Sequence, residues 1–308
     1  MKQYGWFGGY GYGKFLTGSN FLKISICIVN LNAKKYLGTC LNSISRAVGI
    51  DAYEIIIVDN NSKDGSPHFI KTNYPKVKLL SNSRNEGYTR AINSAIRVSK
   101  GDFLVILNPD SVLEKKSIDT LVKFFSFDHN IGIVGPKVVS DDGSFQQSCR
   151  RGLARPGAVF SYFLGLAKRY PKNKKFTGYH LNHLDENHIH EVDGVSGSCM
   201  VISRKTIKEV GYFDERYFAY QEDSDYCLRA KKQGFKVFYN PNSVVKHTGG
   251  EGGSNSVPMK AIFEWHRSYY RYYFKHFSDD YSLIFNIFYS IVMMGKLIFA
   301  EGKYLVRK

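Results

Sequence analysis

The chain has 308 residues, of which 43% are hydrophobic and 15% aromatic, so it can bury a sizeable core, and a disordered or fibrous chain is excluded. Lysine and arginine number 43 against 27 acidic residues, a formal charge of +16 that favours a phosphate-bearing partner: nucleotide, nucleic acid or anionic lipid. The five cysteines (Cys27, Cys40, Cys149, Cys199, Cys227) are odd in number, scattered and without CxxC spacing, which argues against a disulfide framework or a cysteine zinc site and fits a reducing compartment.

Residues 1–21 hold a Gly/Tyr-rich run from Tyr4 to Gly13 and no apolar stretch after Met1-Lys2, so a flexible tail without a signal peptide is expected there. Ile24 to Val29 is a β-branched run. A helix is predicted from about Ala33 to Ser45, where Tyr36, Leu37, Cys40, Leu41 and Ile44 recur at helical spacing. Glu54 to Val58 is a second apolar strand, closed by Asp59-Asn60-Asn61-Ser62. A third strand (Val77 to Leu80), a helix (about Glu86 to Val98) and a fourth strand (Phe103 to Leu107) complete the alternation. Continuous apolar runs point to a parallel sheet covered on both faces, and hence to a Rossmann-like nucleotide-binding half. Asn30-Leu31-Asn32 stands where GxGxxG would follow the first strand, which disfavours a dinucleotide dehydrogenase.

The fourth strand ends abruptly in Asn108-Pro109-Asp110. Proline cannot continue a central strand and holds the preceding residue extended, so Asn108 and Asp110 project from the strand tip, at the edge where open α/β sheets bind ligands. Asp110 there reads either as a metal anchor or as part of an Asx turn before a helix at about Glu114. That helix runs to Phe127, followed by a short strand (Ile131 to Pro136) and a hairpin (Val138 to Phe145) around Asp141-Asp142-Gly143.

Gly143 to Leu184 contains eight basic residues and no acid: Arg150, Arg151, Arg155, Lys168, Arg169, Lys172, Lys174 and Lys175. It reads either as a solvated surface or as a platform for phosphate or membrane. After a compact strand region (Val192 to Ser203), Gln221-Glu222-Asp223-Ser224-Asp225 opens a helix to about Gln233. Carboxylates suit a first helical turn, but three in four residues exceed what capping needs. A strand (Phe235 to Tyr239) and a short run (Ser243 to Lys246) lead to His247-Thr248-Gly249-Gly250, a strand-end histidine that alone reads as structural or functional.

Towards the carboxyl terminus, Trp265, Tyr269, Tyr272, Tyr273 and His276 share one side of a helix while Arg267, Arg271 and Lys275 share another, a pattern suited to a bilayer interface. Tyr281 to Gly295 is then fifteen uncharged residues, short of the about 20 of a spanning helix. A hairpin lying on the membrane or packing on the domain is favoured over a span.

Taken in order, Ile57-Val58-Asp59-Asn60-Asn61-Ser62, Asn85-Glu86-Gly87-Tyr88, Leu107-Asn108-Pro109-Asp110, Gly211-Tyr212-Phe213-Asp214-Glu215, Glu222-Asp223-Ser224-Asp225 and His247-Thr248-Gly249-Gly250 resemble the inverting glycosyltransferases of family 2. The resemblance runs from about Ile24 to Ser254, and within the family is most like bacterial rhamnosyltransferases of surface polysaccharide synthesis. It implies a GT-A fold, a Rossmann-like, mainly parallel sheet with helices on both faces, over residues 22–255, with 256–308 as a membrane-associating helical extension.

It implies Asp223 as the general base, Glu222 as the residue that positions it, and Asp59, Asn85, Gly87, Asn108 and Asp110 on the donor. It also implies Asp110 and His247 on a divalent cation, Mg²⁺ or Mn²⁺. Asn108 replaces the first acid of the family's DXD motif, and a neutral amide is a poorer ligand for a hard cation. The implied donor is dTDP-rhamnose or a UDP-sugar, and the implied acceptor a lipid-linked saccharide. The implied place is the anionic, cytoplasmic inner face of the cell membrane. Nucleic acid is not an expected partner, because neither a recognition-helix pattern nor an RNP-like aromatic strand is present. A nucleotidyltransferase would want a basic, Gly-rich triphosphate loop, and Asn30 to Lys35 is a poor one; a non-catalytic assembly protein remains the other alternative.

Overall fold

The computed structural model describes residues 23–49, 53–250, 255 and 257–306; the expected tail over 1–21 lies outside them. The first half alternates as β1 (Ile24–Asn30), α1 (Lys34–Ala47), β2 (Tyr53–Asp59), α2 (Ser66–Asn73), β3 (Lys78–Ser81), α3 (Tyr88–Val98) and β4 (Phe103–Leu107). Then come β5 (Ser111–Leu113), α4 (Ser117–Phe124), β6 (Ile131–Val139), β7 (Arg150–Arg151), α5 (Pro156–Phe163), α6 (Leu166–Arg169), α7 (Lys174–Thr177), β8 (His190–Glu191), β9 (Gly194–Val195) and β10 (Cys199–Ser203). The chain continues through α8 (Arg204–Val210), α9 (Glu222–Lys232), β11 (Lys236–His247), α10 (Pro258–His276) and α11 (Leu283–Val306).

One nine-stranded sheet has the order β3-β2-β1-β4-β10-β6-β11-β5, with β8 beside β11. β3, β2, β1 and β4 are mutually parallel and β6 and β11 are parallel, whereas β10, β5 and β8 run antiparallel to their neighbours. The sheet is thus mainly parallel, as expected. Every residue of β1 is buried because both faces are covered. Cys27 and Val29 face a cluster with Ala91, Ile92 and Ile96 of α3. Ile26 and Ile28 face the opposite cluster with Leu37, Leu41 and Ile44 of α1.

Three departures from the sequence expectations position the site. β6 continues past Pro136 to Val139. β11 is a single strand of 12 residues, Lys236–His247, its Asn-Pro-Asn interruption absorbed as a bulge between Asn240 and Val244. A short strand, β5, follows Asn108-Pro109-Asp110 directly and pairs with β11 so that Ser111 lies opposite His247. That pairing carries the strand-end histidine to the Asn-Pro-Asp corner.

The aromatic face of α10, expected at a bilayer, is instead packed inside: Tyr269, Tyr272 and Tyr273 are buried with Tyr179, Tyr217, Leu228 and, from α11, Tyr289 and Met293. An aromatic helical stripe does not encode what covers it, and here protein does. The basic side is also engaged, with Arg267 on Glu264 (2.7 Å) and Lys275 on Asp214 (2.7 Å) and Asp225 (2.5 Å). α11 runs 24 residues through Lys296 without a break and is long and apolar enough to cross a membrane. It leaves Leu283, Ile284, Ile287, Ile291, Met294, Ile298 and Phe299 exposed.

Candidate active site

The parallel register fixes one wall. Asn30 and Asp59 end β1 and β2 level with each other, and Asp59, 2% exposed, accepts hydrogen bonds from Asn30 Nδ2 (2.8 Å) and the Ser62 amide (2.9 Å). The next residue, Asn60, organises the loop before α3. Its amide nitrogen donates to Asn85 Oδ1 (2.8 Å) and the Gly87 carbonyl (3.2 Å), and its oxygen accepts from Asn82 (3.0 Å) and the Glu86 amide (3.0 Å). Gly87 has φ 90° and sits so close to Phe218 that a Cβ there would lie 2.7 Å from its carbonyl oxygen. Only glycine meets both demands.

At the tip of β4, Asp110 and His247 meet, with Asp110 Oδ1 3.3 Å from His247 Nε2; Asn108 Nδ2 is 3.2 Å from the same ring nitrogen. The tautomer follows from Gln146. Its Nε2 donates to the His247 carbonyl (2.6 Å), which can only accept, so its Oε1, 3.1 Å from His247 Nδ1, must receive a proton from the ring. Nδ1 therefore carries the hydrogen and the Nε2 lone pair is turned toward Asp110. With Nδ1 carrying the hydrogen, Nε2 accepts from the Asn108 amide (3.2 Å), and a carboxylate oxygen beside this imidazole nitrogen is a donor pair that fits a divalent cation. Among the described residues no group of three or more histidine, cysteine, aspartate or glutamate side chains is gathered for a metal.

The opposite wall is the start of α9. Asp223 Oδ2 accepts from Arg151 Nη2 and from the Gly197 amide (2.9 Å), while Oδ1 accepts from the Ser224 amide (2.7 Å). Burial alone would lower the Arg151 pKa, but the Asp223 charge outweighs it and drives it up. Glu222, buried and beside Asp223, is pushed up to about 8 by burial first and by its neighbour's charge second. His180 falls to about 4, through burial and the Arg151 charge, and is neutral near pH 7.

Asp225 belongs to a different cluster. Arg229 Nε (2.8 Å), Lys275 Nζ (2.5 Å) and His276 Nε2 (2.8 Å) all contact it. Burial opposes ionisation there, yet these partners hold its carboxyl below the usual range. Its role is to tie α9 to α10, and Arg229 is the ion-pair partner its spacing suggests.

Between the walls lies a cleft of about 450 Å³ lined by Asn85, Tyr88, Asn108 and His247 on one side and Arg151, Gly197, Glu222 and Asp223 on the other, with Tyr162, Tyr179, Trp265 and Tyr269 as an aromatic flank. Asn85, Asn108, His247, Glu222 and Asp223 thus reach one space. Asp59, Gly87 and Asp110 are buried at its margin. Asn60, Gln146, Arg151 and Gly197 were not singled out from sequence for this site. Asn60 lies in a quoted motif, Arg151 in the basic stretch, and Gly197 in a run of small residues that allows close backbone approach, but Gln146 carries no comparable signal.

Residues 25–211 match the family model described as glycosyl transferase family 2. The chain is 32% identical over 231 residues to the N-acetylglucosaminyl-diphospho-decaprenol L-rhamnosyltransferase of Mycobacterium tuberculosis, covering 70% of this chain and 73% of that protein. It is 23% identical over 258 residues to the rhamnosyltransferase WbbL of Escherichia coli, covering 81% of this chain and 92% of the relative. Among solved structures it is similar to the mannosyltransferase PcManGT of Pyrobaculum calidifontis in complex with GDP-Man and Mn²⁺, with a TM-score of 0.57, 16% identity, and coverage of 83% of this chain and 64% of that one. It is also similar to residues 1–349 of S. aureus TarS, with a TM-score of 0.51, 16% identity, and coverage of 79% and 65%. Sheet order, the Asn-Pro-Asp corner, the acidic start of α9 and these similarities converge: the chain belongs to glycosyl transferase family 2 and is an inverting hexosyltransferase with the GT-A fold.

Proposed function

We propose that the protein transfers a sugar, rhamnose in the leading reading, from a nucleoside diphosphate donor to a hydroxyl of a lipid-linked saccharide. The observation that carries this reading is the meeting of Asn108 and His247 with Glu222 and Asp223 around one cleft. Similarity to two rhamnosyltransferases supports dTDP-rhamnose as donor, with a UDP-sugar as the second reading. On this proposal the base lies at Asp59, and the diphosphate runs past Asn85 and Gly87 to Asn108 and Asp110.

Asp110 and His247 Nε2 are the residues that would hold Mg²⁺ or Mn²⁺. Such a cation, when bound, neutralises charge on the departing diphosphate. Asp223 takes the proton of the acceptor hydroxyl as that oxygen attacks the anomeric carbon, and Glu222 supports its position. Its Oδ2 accepts two hydrogen bonds, from Arg151 and Gly197, whereas Oδ1 accepts a close one from the Ser224 amide (2.7 Å) and a long one from the Ser224 hydroxyl (3.4 Å), so Oδ1 is the oxygen proposed to accept the proton.

The aromatic flank suits an acceptor sugar, whose apolar ring face packs on flat side chains. The exposed apolar face of α11 and the net charge of +16 support work at the anionic inner face of the cell membrane. In this reading residues 22–255 form the catalytic unit and 256–308 the membrane-associating extension. The test is transfer of radiolabel from dTDP-rhamnose, and in parallel from UDP-sugars, to N-acetylglucosaminyl-diphospho-decaprenol with and without Mn²⁺. Metal-dependent transfer from dTDP-rhamnose is expected. Transfer from none of these donors, with metal present, overturns the reading.

A further inference from the structure

We propose that Arg151 is a positioning residue that decides which of two adjacent carboxylates, Asp223 or Glu222, stands ionised to receive the acceptor proton. This rests on the reading of Asp223 as the base. Both side chains leave the first turn of α9 and converge on Gly197: a Cβ there would lie 3.6 Å from Asp223 Oδ2 and 3.8 Å from Glu222 Oε1. Both residues are only 7% exposed. Two negative charges so close and so buried cannot both be held cheaply, so the pair keeps one proton and the surroundings choose its seat.

Arg151 makes that choice by geometry. It pairs with Gly194 in the short β7–β9 ladder, and its Nη2 donates to the Val195 carbonyl (3.2 Å) as well as to Asp223 Oδ2. The guanidinium is therefore anchored, and it touches Asp223. Glu222 Oε2 has no hydrogen-bond partner among the described residues. Of the other titratable groups around the pair, Tyr88, Tyr269 and Cys227 are neutral, raised mainly by burial. His180 is neutral too, and Asp225 is occupied by Arg229, Lys275 and His276.

Asp223 thus stays ionised while Glu222 carries the proton. In the transfer step the acceptor O–H bond breaks toward Asp223 Oδ1, the new oxygen–carbon bond forms, and the anomeric carbon–oxygen bond leaves with its electron pair on the diphosphate. The proton on Asp223 then passes to solvent. Without the guanidinium, Asp223 and Glu222 compete for the resting proton and the base is blocked part of the time.

The full-length chain is assayed with dTDP-[¹⁴C]rhamnose and N-acetylglucosaminyl-diphospho-decaprenol from pH 5 to 9. Arg151→Gln is expected to move the acid limb of kcat/KM up by about one to three pH units, because a carboxylate beside arginine loses about that much in pKa. The loss should be greatest at the acid end of this range, towards pH 5, and should fade as the pH rises. Donor-induced thermal stabilisation should remain. Guanidinium chloride at millimolar concentration should restore part of the activity of Arg151→Ala, whereas urea should not. If Arg151→Gln and Arg151→Ala do not fold, Arg151→Lys carries the test and should show a smaller shift of the same limb. An unmoved acid limb, with a loss uniform in pH and no rescue, overturns the proposal. Undiminished transfer by Asp223→Asn overturns instead the assignment of the base.

Discussion

Gln146 and His247 hold each other through two hydrogen bonds, from the Gln146 amide to the His247 carbonyl (2.6 Å) and between His247 Nδ1 and Gln146 Oε1 (3.1 Å). The pair sets the ring's tautomer, orients it toward Asp110, and ties the segment after β6 to the end of β11. Gln146→Leu removes both bonds and leaves the ring free to turn. The Mn²⁺ concentration giving half-maximal transfer should rise about 10- to 100-fold, as for other partners of metal-binding histidines. A Mn²⁺ titration of the variant checks this, and an unchanged midpoint would remove Gln146 from the metal corner.

Asp223→Asn keeps the shape of the side chain and one acceptor oxygen but cannot take a proton. Transfer should fall by about 10²- to 10⁴-fold, the range of general-base catalysis. Thermal stabilisation by donor nucleotide should persist, since the residues proposed for the donor lie at the ends of β2 and β4 and in the loop before α3.

Glu222→Gln should make the protein more stable near neutral pH. In the folded chain the Glu222 carboxyl titrates at about 8, against 4.5 for the ordinary group. Between those values the unfolded chain has given up the proton and the folded chain has not, so wild-type stability falls as pH rises through this window. Glutamine does not titrate. The variant's advantage in Tm should therefore grow from pH 4.5 to about 8 and then level off. A difference independent of pH would contradict the assignment of the proton to Glu222.

Removing residues 283–308 should detach the protein from anionic liposomes in flotation while leaving donor binding intact. A cut at about Met259 is a different experiment, because it also removes Tyr269, Tyr272 and Tyr273 from the core and Lys275 and His276 from Asp225. That shorter chain should lose cooperative thermal unfolding. Undiminished flotation after the cut before Leu283 would exclude α11 as the membrane contact.

The parallel half was legible because β1, β2 and β4 are buried on both faces and so read as unbroken apolar runs. The Asn-Pro-Asp corner was legible because proline stops a central strand. β11 was not, since Tyr-Asn-Pro-Asn-Ser looks like a turn and only pairing with β6 shows that the strand resumes beyond a bulge. Arg151 was hidden among eight basic residues, most of them exposed, because charge in a sequence does not reveal which cation is turned inward. The α10 aromatics misled for a related reason: a stripe fixes which side of a helix is covered but not by what.

Asp225 lies two residues beyond Asp223 on the same helix, and Lys275 and His276 grip it from the last turn of α10, immediately before α11. The carboxyl-terminal hairpin is consequently tied to the helix that bears Asp223. On the proposed reading, a membrane that holds α11 would therefore also set the height at which an acceptor presents its hydroxyl to Asp223, so docking would also be aiming.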